Sequence, residues 1–107
     1  MKIDFKDAIK KALTKSSIIG EHIEVRQRAI GKTTALIEFA RDYGFTVVVP
    51  FRNIRDNLRN KSGYADIIYA DELSGISKDV KLVFDEGVNP NLTNCQSQFV
   101  TGFISIN

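Results

Sequence analysis

The residues at positions 31–34, with the sequence GKTT, have the types and order needed to bind phosphate groups. In loops of the pattern G-x-x-x-x-G-K-[ST], backbone N–H groups surround the phosphates, the lysine contacts the terminal phosphates and the hydroxyl binds magnesium. By this pattern Lys32 would hold the phosphates, Thr33 would bind magnesium, and Thr34 would add a further contact. Arg26 stands where the first glycine of the pattern is usually found. The alternative is an ordinary helix start, with a threonine cap and a solvated lysine.

A pair of acidic residues follows the apolar run at 82–84 and could complete a magnesium site. A buried strand that ends in two acids can place an aspartate beside the metal and a glutamate beside an attacking water. Asp85 and Glu86 fit these two roles. A second candidate pair, Asp71 and Glu72, follows the run DIIYA, in which tyrosine and alanine separate the isoleucines from the acids. We favour Asp85 and Glu86 because their apolar run leads directly into them.

Basic residues recur on one side of the segment that follows Pro50. Their spacing of three and four positions places the arginines on one face of a helix. Such a face could bind nucleic-acid phosphates or a protein partner. The alternative is the solvated side of an amphipathic helix, opposite Ile54 and Leu58. The set consists of Arg52, Arg55, Arg59 and Lys61.

Apolar periodicity predicts strands that alternate with helices along the chain. The predicted helices span 4–15, 32–43 and 52–60, and the predicted strands span 22–25, 45–49, 65–70, 80–86 and 97–106. This alternation is typical of α/β proteins, so we predict a mostly parallel sheet of four or five strands flanked by helices. The last strand is expected to be antiparallel or to lie at an edge. GKTT and both acidic pairs follow predicted strands, and ligands bind beyond the carboxyl ends of such strands.

The composition predicts one soluble domain over residues 1–107. The chain has 43% hydrophobic and 26% charged residues, which is ordinary for a globular protein. It contains no apolar stretch of membrane-spanning length, and its lysine-rich N-terminus does not fit a secretion signal. A single cysteine, Cys95, cannot form an internal disulfide. Residues 1–61 carry 13 of the 15 lysines and arginines, so the first part of the chain is basic and the remainder acidic. We therefore expect a cytoplasmic protein.

Three segments resemble the nucleotide-binding core of P-loop ATPases of the helicase and phage large-terminase (DNA-packaging motor) type. They are RQRAIGKTTALIEFA, GFTVVVPFRNIRDNL and KLVFDEG, and the similarity covers roughly residues 20 to 90. Packaging ATPases of this type often have R-x-x-G-K-[ST] as their Walker A motif, and Arg28 occupies the arginine position. The resemblance implies a three-layer fold in minimal, single-domain form, with KLVFDEG as Walker B. It also implies ATP and Mg²⁺ as ligands, with Lys32 and Glu86 as catalytic residues and Thr33 and Asp85 at the metal. The implied nucleotide-binding residues are Arg28, Ala29, Ile30, Gly31, Lys32, Thr33 and Thr34.

The sequence leaves three functional hypotheses. The first is an ATP-binding protein and slow ATPase that works with DNA or a DNA-processing protein. Phosphoryl transfer commonly needs an additional arginine, and self-association could supply one from the Arg52, Arg55 and Arg59 face. The second is a non-catalytic interaction module on the same fold, and the third a small nucleotide kinase. The resemblance suggests a phage or mobile element as the source, and hence a bacterial cytoplasm.

Overall fold

Helices and strands alternate along the part of the chain that the computed structural model describes. That part comprises residues 5–19, 22–25, 32–77, 79–85, 87–88 and 99–105. The α-helices are α1 (Phe5–Ile19), α2 (Lys32–Tyr43) and α3 (Arg52–Ser62), and a 3₁₀ helix spans Ala70–Gly75. The strands are β1 (His22–Val25), β2 (Thr46–Val49), β3 (Ile67–Tyr69), β4 (Leu82–Phe84) and β5 (Phe99–Ser105).

The five strands form one sheet in the order β1-β5-β4-β2-β3. Every pairing in it is parallel. The prediction of an α/β protein with a mostly parallel sheet of four or five strands, flanked by helices, is therefore confirmed. No described helix is both long enough and apolar enough to cross a membrane.

The prediction for the last strand was wrong. β5 is neither antiparallel nor at an edge, because it lies between β1 and β4 and runs parallel to both. Its sequence FVTGFIS is largely apolar, as is usual for a parallel strand covered on both faces. Gly102 also lets the backbone of β5 approach β4 closely, since a Cβ atom there would lie 2.5 Å from the carbonyl oxygen of Phe84.

Two apolar clusters cover the two faces of the sheet. On one face, residues of α1 and α2 pack against alternate residues of the strands, and Ile54 and Leu58 of α3 pack at the margin. On the other face, Val48, Ile68 and Phe84 pack with Leu73 of the 3₁₀ helix and with Val88. This alternation follows from the two-residue period of a strand, which sends neighbouring side chains to opposite faces. β2, β3 and β4 are thus covered on both sides.

Helix α1 is longer than the periodicity predicted. It continues to Ile19, beyond the predicted end at residue 15. The hydroxyl groups of Ser16 and Ser17 donate to the carbonyl oxygens of Leu13 and Thr14 in the preceding turn, which satisfies them within the helix. Ser16 is also buried and hydrogen-bonded to the hydroxyl of Thr101 in β5. Tertiary packing therefore outweighs the weak helix propensity of serine here.

Candidate functional site

The structure brings Thr33 and Asp85 together, although 52 residues separate them in the sequence. Thr33 lies in the first turn of α2, and Asp85 directly follows β4. The Thr33 hydroxyl points at the Asp85 carboxylate, with Oγ1 at 3.3 Å from Oδ2 and 3.5 Å from Oδ1. The two predicted magnesium-binding side chains therefore meet at the carboxyl edge of the sheet.

The backbone around Asp85 is tied to β2. Its N–H donates to the carbonyl oxygen of Val48 at 2.8 Å, which extends the β2–β4 ladder by one residue. The chain then turns at Gly87, whose φ of 96° favours glycine, and a Cβ there would lie 3.4 Å from Pro50. Asp85 itself is 7% exposed. The carboxylate is thus held in a buried and well-defined position.

Helix α2 is anchored so that its first turn faces this carboxylate. Ala35, Leu36 and Phe39 are at most 1% exposed and belong to the buried side of α2. The helix starts at Lys32, and the first N–H groups of any α-helix lack partners within the helix. Such a helix start attracts anions, and Thr34 is exposed beside it. A carboxylate, a hydroxyl and a helix N-terminus consequently share one edge.

Several predicted site residues lie outside the described residues. These are Glu86, Arg28, Ala29, Ile30 and Gly31, and Lys32 is described for its backbone only. Their roles stay predictions. In the described ranges, no group of three or more His, Cys, Asp or Glu residues could hold a metal ion.

The rival acidic pair, Asp71 and Glu72, lies in the 3₁₀ helix after β3. Glu72 accepts a hydrogen bond from Arg55 Nη1 at 2.6 Å and another from the backbone N–H of Tyr69 at 3.1 Å. Burial disfavours its charged form, but these two hydrogen bonds and the positive charges of Arg55 and Arg59 together outweigh burial and lower the pKa of Glu72. Asp71 is exposed. Glu72 is therefore committed to a structural contact, whereas Asp85 is the acid that faces Thr33.

The predicted basic face of α3 divides into two parts. The guanidinium group of Arg55 pairs with Glu72 and with Asp56 at 2.9 Å, and it lies 5.0 Å from the centre of the Tyr69 ring. Arg59 Nε donates to the carbonyl oxygen of Ile67 at 2.9 Å. These two arginines turn towards β3. The other two members of the set, Arg52 and Lys61, are exposed.

Arg55 and Arg59 help to satisfy the backbone groups of β3, which is an edge strand of the sheet. The carbonyl oxygen of Asp66 accepts a hydrogen bond from a backbone N–H of β2. Because successive residues of a strand direct their backbone N–H and C=O groups to opposite sides, those of Ile67 and Tyr69 point away from β2. The carbonyl oxygen of Ile67 accepts from Arg59, and the N–H of Tyr69 donates to Glu72, which Arg55 holds. Side chains thus occupy an edge that could otherwise pair with another chain.

Sequence reasoning missed Phe51 as an exposed apolar residue. It is the residue before α3, it follows the Pro50 that ends β2, and it is 63% exposed. The available signal was an apolar residue between a strand-ending proline and a run of polar residues, RN. The same position also suits the boundary of a helix, so the pattern alone could not predict exposure.

We predict that the contribution of Glu72 to stability depends on pH. Because folding lowers the pKa of Glu72, the ionised carboxylate stabilises the fold above its unfolded-state pKa, and this contribution disappears as pH falls through the folded-state pKa. Urea unfolding of wild type and Glu72→Gln should therefore differ at about pH 7 and converge towards about pH 3. In an Arg55→Gln background the same substitution should have a smaller effect. A difference that stays constant across this range would contradict the assignment.

The chain matches no family model, no curated protein and no solved structure. The basis for a functional proposal is therefore the geometry of its own side chains.

Proposed function

We propose that this protein binds a magnesium–nucleoside triphosphate, ATP in the first instance, at the carboxyl edge of its sheet. The observation that carries this proposal is the meeting of Thr33 and Asp85, with the nearest oxygens 3.3 Å apart. The sequence pattern assigns the same two residues to the metal, one through GKTT and one through the apolar run that ends in Asp85. Two motifs from distant parts of the chain thus converge where a shared ligand would require it.

The donor set suits magnesium. Mg²⁺ prefers oxygen ligands in an octahedron with bonds of about 2.1 Å, and it usually takes one or two carboxylates together with substrate phosphates and water. Adjacent ligands of such an octahedron lie about 3 Å apart, close to the separation of the Thr33 and Asp85 oxygens. A site of this kind does not need three protein carboxylates, because the phosphates supply the remaining negative charge.

The start of α2 suits the phosphates. Unpartnered N–H groups and the helix dipole favour negative charge at this end. We assign the backbone of residues 28–31 and the side chains of Lys32 and Thr34 to phosphate binding, and Arg28 to a further phosphate contact. These assignments rest on the sequence pattern and on the position of α2.

Hydrolysis in this proposal is slow, and its residues are Lys32 and Glu86. Bound magnesium would neutralise charge on the phosphates, Lys32 would hold them, and Glu86 would orient the attacking water. A partner would be needed to supply an additional arginine, and for a second copy of the chain the exposed Arg52 is the donor that we propose. The protein would then be a minimal, three-layer P-loop ATPase that acts with DNA or a DNA-processing protein in a bacterial cytoplasm.

The proposal predicts that Lys32→Ala weakens ATP binding by about 10- to 100-fold, the value of a lost hydrogen bond to a charged group. Isothermal titration calorimetry with ATP and magnesium measures this directly for the full chain. Lys81→Ala is the matched control, because Lys81 is exposed and lies before β4, at the opposite end of that strand from Asp85. Equal binding heats for wild type and Lys32→Ala, or no heat from either, would exclude the proposed site.

A further inference from the structure

Helix α1 presents a basic face that the nucleotide site does not use. Lys11 and Lys15 are exposed and lie one turn apart on this helix. With Lys10 and Thr14 they line a shallow depression of about 460 Å³. Within the described part of the chain, neither Lys11 nor Lys15 forms an ion pair.

The face is held in place from the opposite side of the helix. Leu13 is fully buried in the core, and Ser16 is hydrogen-bonded to Thr101 of β5. The Nζ atom of Lys10 lies 3.0 Å from a carboxylate oxygen of Asp42 at the end of α2. α1 is therefore a fixed element that presents Lys11 and Lys15 in a defined register.

The charge of α1 is strongly unbalanced. The helix contains four lysines, and Asp7 is its one acidic residue. A rise of 1.5 Å per residue places Lys11 and Lys15 about 6 Å apart along the helix axis. Neighbouring phosphates of one DNA strand rise 3.4 Å along the duplex axis and also wind around it, so they lie about 7 Å apart in space. The two ammonium groups can thus reach two phosphates of the same strand.

We propose that this α1 face, Lys11 and Lys15 with Thr14 between them, binds the phosphodiester backbone of nucleic acid. Contacts of this kind are electrostatic and independent of base sequence. The α3 face is a weaker candidate, because Arg55 and Arg59 are engaged with Glu72 and Ile67. An anionic membrane is also a weaker candidate than nucleic acid. A helix that lies on a membrane buries its apolar side in the lipid, whereas Leu13 of α1 is buried in the protein core.

The test is the binding of a fluorescent 20-base-pair DNA duplex to the full chain, followed by anisotropy at several salt concentrations. Lys11→Gln/Lys15→Gln should weaken binding at least about tenfold near 0.1 M salt. It should also lower the slope of log K against log salt by about 1.8, because each phosphate contact contributes about 0.9. ATP binding by this variant should equal that of wild type, so the outcome is independent of the nucleotide proposal.

The matched control is Arg52→Gln/Lys61→Gln, which removes two exposed positive charges from α3 instead. We expect this control to change affinity by less than about threefold and to leave the salt slope within about 0.5 of wild type. Equal losses in both double variants, or a larger loss in the control, would overturn the assignment to α1. Stronger binding to phosphatidylserine vesicles or to polyglutamate than to the duplex would overturn the choice of nucleic acid. Circular dichroism spectra that match wild type establish that both variants are folded.

Discussion

Replacing Asp85 by asparagine is expected to abolish the magnesium dependence of ATP binding. In wild type, ATP should bind more tightly with Mg²⁺ than with EDTA, because the Asp85 carboxylate and the Thr33 hydroxyl lie together at the proposed metal position. Asparagine keeps the shape and one acceptor oxygen but loses the charge that favours the cation. Affinity in Mg²⁺ should fall by about 10- to 100-fold, the usual cost of changing a side chain that supports a metal. Affinity in EDTA should be unchanged or higher, since a negative charge next to the phosphates has been removed.

Asp85→Asn tests the proposed metal site without disturbing the fold. The hydrogen bond from Asp85 to Val48 uses the backbone N–H, so the connection between β4 and β2 survives in the variant. Asp71→Asn is the matched control, because Asp71 belongs to the rival acidic pair and is exposed. Calorimetric titrations of both variants, with and without Mg²⁺, decide between the pairs. Loss of magnesium dependence in Asp71→Asn alone would assign the metal to the 3₁₀ helix instead.

The sequence predicts well those parts of the site that depend on local signals. GKTT follows one short strand, and α2 spans Lys32–Tyr43 as predicted, with Gly44 directly after it at a φ of 74°. Asp85 ends an apolar run that becomes β4. Because all the strands prove parallel, their carboxyl ends lie at one edge, and the proximity of Thr33 and Asp85 follows from that arrangement.

The arginines show where sequence reasoning reaches its limit. A helical repeat predicts that Arg55 and Arg59 share a face of α3, but it does not say what that face meets. The answer depends on where β3 and the 3₁₀ helix lie, and these are contacts between residues 8 and 17 positions apart. Arg55 and Arg59, which were expected to hold a partner, instead contact residues at the β3 edge of the sheet.

Strand order is the other feature that the sequence could not supply. The apolar pattern of β5 predicts a strand. Its place between β1 and β4, however, is set by pairing with residues up to 80 positions away, such as Gly102 with His22. Local propensity does not encode such pairings. The glycine in the strand was nevertheless a usable signal, since a glycine within a strand often marks a close backbone approach or a bulge. A register shift between Leu82 and Val83 lies near this glycine, which pairs with the next residue, Phe84.

Gly102→Ala is expected to be the most destabilising single substitution among the described glycines. The new Cβ would lie 2.5 Å from the carbonyl oxygen of Phe84 and 2.9 Å from its backbone nitrogen, and neither atom can rotate away. Relief requires β5 to move from β4, and β5 also carries β1 on its other side. Overpacking in a dense interior costs about 1–3 kcal/mol or more, and we expect about 3 kcal/mol here because backbone atoms are involved. Since domains are stable by only about 5–15 kcal/mol, the urea midpoint should fall markedly.

Gly75→Ala provides the matched control for this prediction. Gly75 ends the 3₁₀ helix, and a Cβ there would meet no atom within 4 Å. Its free energy of unfolding should therefore stay within about 0.5 kcal/mol of wild type. Equal urea midpoints for the two alanine variants would mean that β5 does not approach β4 as described. A large loss in Gly102→Ala alone would support the internal position of β5. β5 pairs with both β1 and β4, and these two strands precede Thr33 and Asp85 in the chain, so the position of β5 bears on how the two halves of the proposed nucleotide site meet.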